Sequence, residues 1–297
     1  MNSYKGQVAL ITGGGRGVGR GIALALAAQG VSVVIDDLFR DANGAAAADS
    51  VIKEIEQAGG TGLALYEDVS SEEGSRKMVD ATVERFGRLD ILIMCAANNV
   101  QKLLHEMSAD EWDAVIRLHL RGHFLGCRMA LPQMLKQNSG RIITVASRGA
   151  FYHLPSSKRE PKPPRRPSNA PYSAAKAGIL GMTTSLAGEL WDTGITVNCL
   201  LPSANTQLFP ATSARMVGGV PATESLDPED IAPAVVYLCS PDAAEISGQL
   251  MYASGGDIVF YGHQLDMHGA RMVRKQGRWT QEELNKVVPG ILGIANT

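Results

Sequence analysis

Val8-Ala9-Leu10-Ile11-Thr12-Gly13-Gly14-Gly15-Arg16-Gly17-Val18-Gly19-Arg20 takes a short apolar run through a glycine-rich turn into a helical pattern, Gly19–Gln29. Glycines in such a turn allow positive φ and let the backbone come close to a ligand. The helix that follows offers free N–H groups and the positive end of its dipole, which suit a pyrophosphate. A glycine run alone reads equally well as a plain tight turn. Placed after a first strand and opening a helix, it favours a dinucleotide site. Outward from it, apolar runs recur at Val31–Ile35, Thr61–Tyr66, Ile91–Met94, Arg141–Ala146, Thr196–Leu200 and Gln249–Tyr252. Between them lie helical patterns at Ala45–Ala58, Glu72–Phe86, Asp110–Lys136, Tyr172–Trp191 and Pro228–Cys239. Continuous apolar strands alternating with helices predict an α/β fold, a doubly wound parallel sheet covered on both faces.

The second strand runs into Asp36-Asp37. A carboxylate there accepts from ribose hydroxyls and repels a 2′-phosphate, so Asp37 favours NAD over NADP. Arg16 argues the other way, because a guanidinium in the turn suits that phosphate; otherwise it is a solvated loop charge. A chain of 297 residues with net charge −2 has no global basic field for nucleic acid or an anionic membrane. The N-terminal apolar run is too short for a signal peptide or a span. Cys95, Cys127, Cys199 and Cys239 stand apart in apolar patterns, as reduced thiols of a cytoplasmic protein do. No metal-ligand cluster is expected.

Tyr172 and Lys176 lie one helical turn apart in Tyr172-Ser173-Ala174-Ala175-Lys176. A free phenol titrates near pH 10, and a fixed ammonium lowers that pKa, making a usable general acid/base. By itself the pair is a common exposed helix pair. Ser147, at the end of a buried strand upstream, changes its meaning. Together with Thr12-Gly13-x-x-x-Gly17-x-Gly19, Asp68-Val69, and Val197-Asn198 before Pro202, these residues make residues 5–256 resemble the short-chain dehydrogenase/reductase family. The resemblance implies a Rossmann sheet, a nicotinamide cofactor and reversible oxidation of an alcohol to a ketone. It makes Tyr172 the general acid/base, Ser147 the group that polarises the substrate oxygen, and Lys176 the residue that binds the nicotinamide ribose and depresses the tyrosine pKa. It gives adenine to Asp68 and the Val69 backbone, and the dinucleotide to Thr12, Gly13, Gly15, Arg16, Gly17, Val18, Gly19 and Pro202. Thr206 corresponds to the threonine that touches the cofactor amide, though it sits closer to Pro202 than is usual.

The chain departs from the family in two places. Met94-Cys95-Ala96-Ala97 replaces Asn-Asn-Ala-Gly after the fourth strand, so Ala96 and Ala97 would line the adenine-ribose side. His119, in Arg117-Leu118-His119-Leu120-Arg121-Gly122, takes the slot of an asparagine that serves a proton relay. Its imidazole either joins that relay or is a hydrogen-bonded core histidine. Asp36-Asp37-Leu38, Glu111-Trp112-Asp113 and Ile231-Ala232-Pro233 resemble the (3R)-hydroxyacyl-CoA dehydrogenase domains of peroxisomal multifunctional enzymes and bacterial relatives linked to steroid or acyl-CoA substrates.

Residues 1–256 form the dinucleotide-binding oxidoreductase domain, with an insertion at 153–171 and a substrate loop at 203–227; residues 257–297 form a C-terminal extension. The insertion holds Lys158, Arg159, Lys162, Arg165 and Arg166 against Glu160, with six prolines that disfavour helix. It reads either as a lid attracting an anionic substrate or as a solvated excursion. Thr280-Gln281-Glu282-Glu283 is a capping-box signature for a helix in the extension. Small residues Ala174, Ala177, Gly178 and Gly181 beside Leu180, Leu186 and Leu190 predict a helix face for a homodimer or homotetramer. The reading is an NAD-dependent oxidoreductase of a small-molecule alcohol or ketone; the alternative is a catalytically weak dinucleotide-binding sensor or scaffold.

Overall fold

The computed structural model describes residues 4–151, 169–208, 216–217, 220–221 and 225–261. Strands β1 (Val8–Thr12), β2 (Ser32–Asp36), β3 (Gly62–Leu65), β4 (Ile91–Met94), β5 (Gly140–Val145), β6 (Ile195–Pro202) and β9 (Leu250–Ser254) are parallel, in the order β9-β6-β5-β4-β1-β2-β3. Helices α1 (Gly17–Ala28), α2 (Ala47–Gln57), α3 (Glu72–Phe86), α6 (Ala170–Glu189) and α7 (Ala232–Cys239) connect them. β1, β4 and nearly all of β5 and β6 are buried. That burial explains why these strands read as continuous apolar runs. The core lies in two layers, one around Ile22, Ile35 and Val235 and the other around Leu10, Met78 and Ile142, on opposite sides of the sheet.

From β1 the chain winds outward through β2 to β3, then returns to place β4 on β1's other side. Loops therefore diverge between β1 and β4, which opens a crevice at the carboxyl ends of the strands.

Three elements differ from expectation. The helix predicted over Asp110–Lys136 is α4 (Ala109–Ile116) and α5 (Gly122–Gln137), joined by a π-helical turn at Arg117–Arg121. α4 starts with a capping box between Ser108 and Glu111, and the apolar spacing runs through the π turn without a break. β10 (Asp257–Tyr261) pairs antiparallel with β9 across Gly255-Gly256, so the sheet continues past the expected boundary at residue 256. Ala170 and Pro171, counted with the insertion, open α6, where proline is tolerated because its missing N–H would be unpaired anyway. The short strands β7 (Met216–Val217) and β8 (Val220–Pro221) lie within the expected substrate loop. The basic residues of the insertion and the Thr280 capping signature lie outside the described residues.

Candidate active site

A cleft of about 1470 Å³ opens at the crevice between the β1 and β4 ends. It is lined by Gly13, Arg16, Gly17, Val18, Gly19, Asp37, Asp68, Val69, Ala96, Ala97, Ser147, Tyr172, Lys176, Pro202 and Thr206, all expected from the sequence. Thr12, Gly15 and His119 are not part of its wall. Thr12 is buried and its Oγ1 accepts from the Ala96 N–H at 3.4 Å. The sequence reading did not anticipate Leu38, Phe39, Glu67, Gln101, Arg148 and Asn169 on the wall. Apart from Arg148, which opens a short 3-10 helix, they come from loop segments, which have no period to read.

The cofactor side is built from backbone. Gly13 has φ +65°, and a Cβ there would lie 2.7 Å from the Ala96 backbone, so no side chain fits between the β1 and β4 ends. The Gly15 N–H donates to Asp37 Oδ2 at 2.9 Å, and the Phe39 N–H donates to Asp37 Oδ1 at 2.9 Å. A Cβ on Gly15 would stand 2.8 Å from that same Asp37 oxygen. The glycine turn and the carboxylate are therefore one unit. Arg16 is engaged elsewhere: its guanidinium lies 3.3 Å above the Phe39 ring and Nη1 donates to Gln207 Oε1 at 2.5 Å. Thr206 sits over the turn, its methyl 3.4 Å from where a Gly17 Cβ would be. Asp36, one residue before Asp37, is buried and accepts from the Glu67 N–H at 2.7 Å. Burial is the main reason its carboxyl is pushed up to about 7.

On the reactive side, α6 brings Tyr172 and Lys176 under the end of β5. Lys176 is 2% exposed, and its Nζ donates to the Val145 carbonyl at 2.6 Å. Burial lowers its ammonium to about 8. Nζ lies 5.5 Å from the Tyr172 ring centroid. The Tyr172 phenol hydrogen-bonds with Ser147, which pulls its pKa down, yet burial is stronger and leaves it raised. The ammonium was expected to lower it. Desolvation of a phenolate on a buried helix face reverses the sign. Ser147 Oγ accepts from the Gly149 N–H at 3.0 Å, which fixes the serine at the strand end.

His119 is buried in the π turn, its ring edge-on to Tyr172 with centroids 5.2 Å apart. Its Nε2 lies 2.8 Å from the Asn98 carbonyl oxygen and 3.2 Å from the Asn98 amide nitrogen, and Nδ1 has no partner among the described residues. Burial drives its pKa down to about 3, so the ring is neutral near pH 7.

A parallel sheet, a glycine turn with no room for side chains, and a Ser–Tyr–Lys set at its switch point define a dinucleotide-dependent oxidoreductase. The short chain dehydrogenase profile matches residues 7–214. A 3-oxoacyl-[acyl-carrier-protein] reductase of Synechocystis is 35% identical over 88% of this chain and 100% of its own. The mouse peroxisomal multifunctional enzyme type 2 is 34% identical over 85% of this chain, which spans 32% of that protein. The crystal structure of a short chain dehydrogenase from Mycobacterium avium superposes with a TM-score of 0.80 at 33% identity, covering 99% of this chain and 97% of the other. The chain belongs to the short chain dehydrogenase family and is an oxidoreductase.

Proposed function

We propose that this protein is an NAD(H)-dependent oxidoreductase that interconverts a secondary alcohol and a ketone, with a hydroxyacyl-CoA or a hydroxysteroid as substrate. The observation that carries the reading is the grouping of Ser147, Tyr172 and Lys176 on one cleft with the glycine turn. The bound nicotinamide ring would accept the substrate's hydride on oxidation and donate it on reduction. Gly13, Gly17, Val18 and Gly19 would approach its pyrophosphate, Asp68 and Val69 its adenine, and Lys176 the nicotinamide ribose. Asp37, steadied by two backbone amides, favours NAD over NADP, and Arg16 is already committed to Phe39 and Gln207.

On oxidation, Tyr172 takes the hydroxyl proton and Ser147 orients the oxygen. Lys176 stabilises the phenolate once the phenol has given up its proton, countering the cost of burial. His119 packs against Tyr172; at a pKa near 3 it does not carry a proton as a cation at neutral pH.

Among relatives, the names 3-oxoacyl-[acyl-carrier-protein] reductase and (2S)-[(R)-hydroxy(phenyl)methyl]succinyl-CoA dehydrogenase subunit BbsD denote acyl-thioester enzymes, while glucose 1-dehydrogenase 2 of Bacillus subtilis does not. Arg148, next to Ser147 on the cleft wall and stacked on the Tyr252 ring, adds positive charge that suits an anionic substrate. A cytoplasmic location fits the four free cysteines, and no helix among the described residues is long and apolar enough to cross a membrane.

A homodimer or homotetramer is part of the proposal, and a groove of about 420 Å³ between α5 and α6, lined by Phe124, Leu131, Leu135 and Met182, supports it. Leu180 and Leu190, expected on that face, are buried in the chain's own core, and Gly178 faces Leu120.

The test is a screen of NAD+ and NADP+ against secondary alcohols, hydroxysteroids and 3-hydroxyacyl-CoA esters. Turnover of a thioester or steroid with NAD+ is expected. Cofactor binding without turnover on any alcohol would favour the sensor reading instead.

A further inference from the structure

His123 opens α5 just after the π turn and is buried to 2% exposure. Both its ring nitrogens are used. Nδ1 lies 2.6 Å from the His119 carbonyl oxygen, and Nε2 lies 3.2 Å from the Val145 amide nitrogen. A carbonyl only accepts and an amide N–H only donates, so both bonds form when the ring's single proton sits on Nδ1. Burial and the nearby Lys176 ammonium push the ring's pKa well below its ordinary value, which keeps that neutral form.

Val145 is also the residue whose carbonyl receives the Lys176 ammonium at 2.6 Å. It ends β5, two residues before Ser147. The register of β4 with β5 ends at Met94 and Thr144, one residue short of Val145. That last pair brings the Val145 N–H to the Met94 carbonyl, and the His123 Nε2 shares this donor at 3.2 Å. A planar side chain bonded at both ends thus ties the π turn of one helix to the strand end that anchors the lysine of another.

We propose that His123 is a positioning residue for the reaction: by holding Val145 against the His119 carbonyl, it fixes the carbonyl on which Lys176 is seated and the strand end that carries Ser147. The inference rests on the oxidoreductase reading above. Without this tether, Val145 relaxes, the ammonium is placed less well to meet the phenolate, and the Tyr172 pKa in the working complex rises. Cofactor contacts at the glycine turn and Asp37 lie on other elements and stay as they are. The charged and titratable groups around the ring are Lys176 from α6 and His119 from the π turn.

The experiment compares the full-length parent with His123→Leu, which removes both bonds, and His123→Gln, whose amide oxygen can still accept from the Val145 N–H. The readouts are the pH profile of kcat for oxidation, KM for NAD+, the melting temperature, and 15N chemical shifts of the parent's histidines. His123→Leu should lose about tenfold in kcat, as expected for a misplaced catalytic group. Its acid limb should move to higher pH and its KM for NAD+ should hold, while His123→Gln recovers most of the rate and the limb. The parent's His123 should show the Nδ1–H tautomer, unchanged from pH 6 to 9.

An Nε2–H tautomer, or a folded His123→Leu with the parent's kcat and pH limb, would overturn the proposal. So would equal rate losses in both variants, with lower melting temperatures and unmoved limbs, because that describes a purely structural histidine. If His123→Leu does not fold, the Gln variant and the tautomer decide. Tyr172→Phe run alongside separates two failures. If it keeps turnover, the underlying reading falls and takes this one with it; if it is dead while His123→Leu matches the parent, only the role of His123 falls.

Discussion

The two flanks of the cleft are built by different means. On the β1–β3 flank, the wall is set by main chain: glycines that admit no side chain, and a carboxylate gripped by two amides. On the β5–β6 flank, it is set by buried side chains whose ionisation depends on what surrounds them, with Tyr172 raised, Lys176 lowered to about 8 and His119 lowered to about 3. The first flank imposes geometry through the chain's own course. The second imposes chemistry through desolvation. Mutations should therefore separate binding from turnover.

The largest separation comes from Tyr172→Phe. It should cut kcat by at least about 10³-fold, within the range general acid/base groups supply, with NAD(H) affinity close to the parent's by fluorescence titration. Comparable turnover would mean that the proton goes elsewhere. On the opposite flank, Asp37→Ala should weaken NAD(H) by about tenfold or more, the worth of hydrogen bonds to a charged group, and relax selection against NADP(H). A parent that already prefers NADP(H) would show that Arg16 leaves Phe39 to meet the extra phosphate.

A third test moves off the cleft. Phe124 is 50% exposed and Leu135 48% on the α5–α6 groove. Phe124→Asp should raise the dissociation constant of the assembly by about thirtyfold or more, as loss of a buried aromatic anchor does. Light scattering that shows a monomeric parent at micromolar concentration would remove the premise.

The smallest effect concerns Asp36, whose folded pKa of about 7 stands above the ordinary carboxylate value of 3.8. The folded state holds this proton longer than the unfolded state does. Its contribution to stability therefore falls as pH rises from near 3.8 to about 7, and is flat above. Asp36→Asn keeps an acceptor for the Glu67 N–H and removes the titration. It should melt about 2–4 °C above the parent at pH 8 and coincide with it near pH 4. Parallel melting curves at both pH values would place the proton on another group.

Sequence reading recovered the form of the β1–β3 flank better than that of the β5–β6 flank. β1, β4 and α3 were legible to the residue because buried parallel strands and capped helices leave period and punctuation in the chain. Tyr172, Lys176 and Ser147 were legible from spacing and resemblance, and the cleft gathers them. The direction of the Tyr172 shift was not, since burial is a property of the surroundings. His123 gave no signal either: its two partners are backbone groups, one of them 22 residues away. The π turn escaped because α4 and α5 each keep an apolar face. β10 escaped because its glycine pair was read as the end of the domain.

That π turn also makes phase part of the design. A helix advances about 100° per residue, so the residue accommodated between Arg117 and Arg121 rotates everything downstream by about that angle relative to a straight continuation. α4 and α5 keep different azimuths, and His123, two residues past Arg121, takes the shifted one. A single-residue deletion in this turn would mend the helix and swing His123 about a quarter-turn away from Val145. In this segment, length as well as side-chain identity would set where His123 lies, and an alignment that scored substitutions alone would miss it.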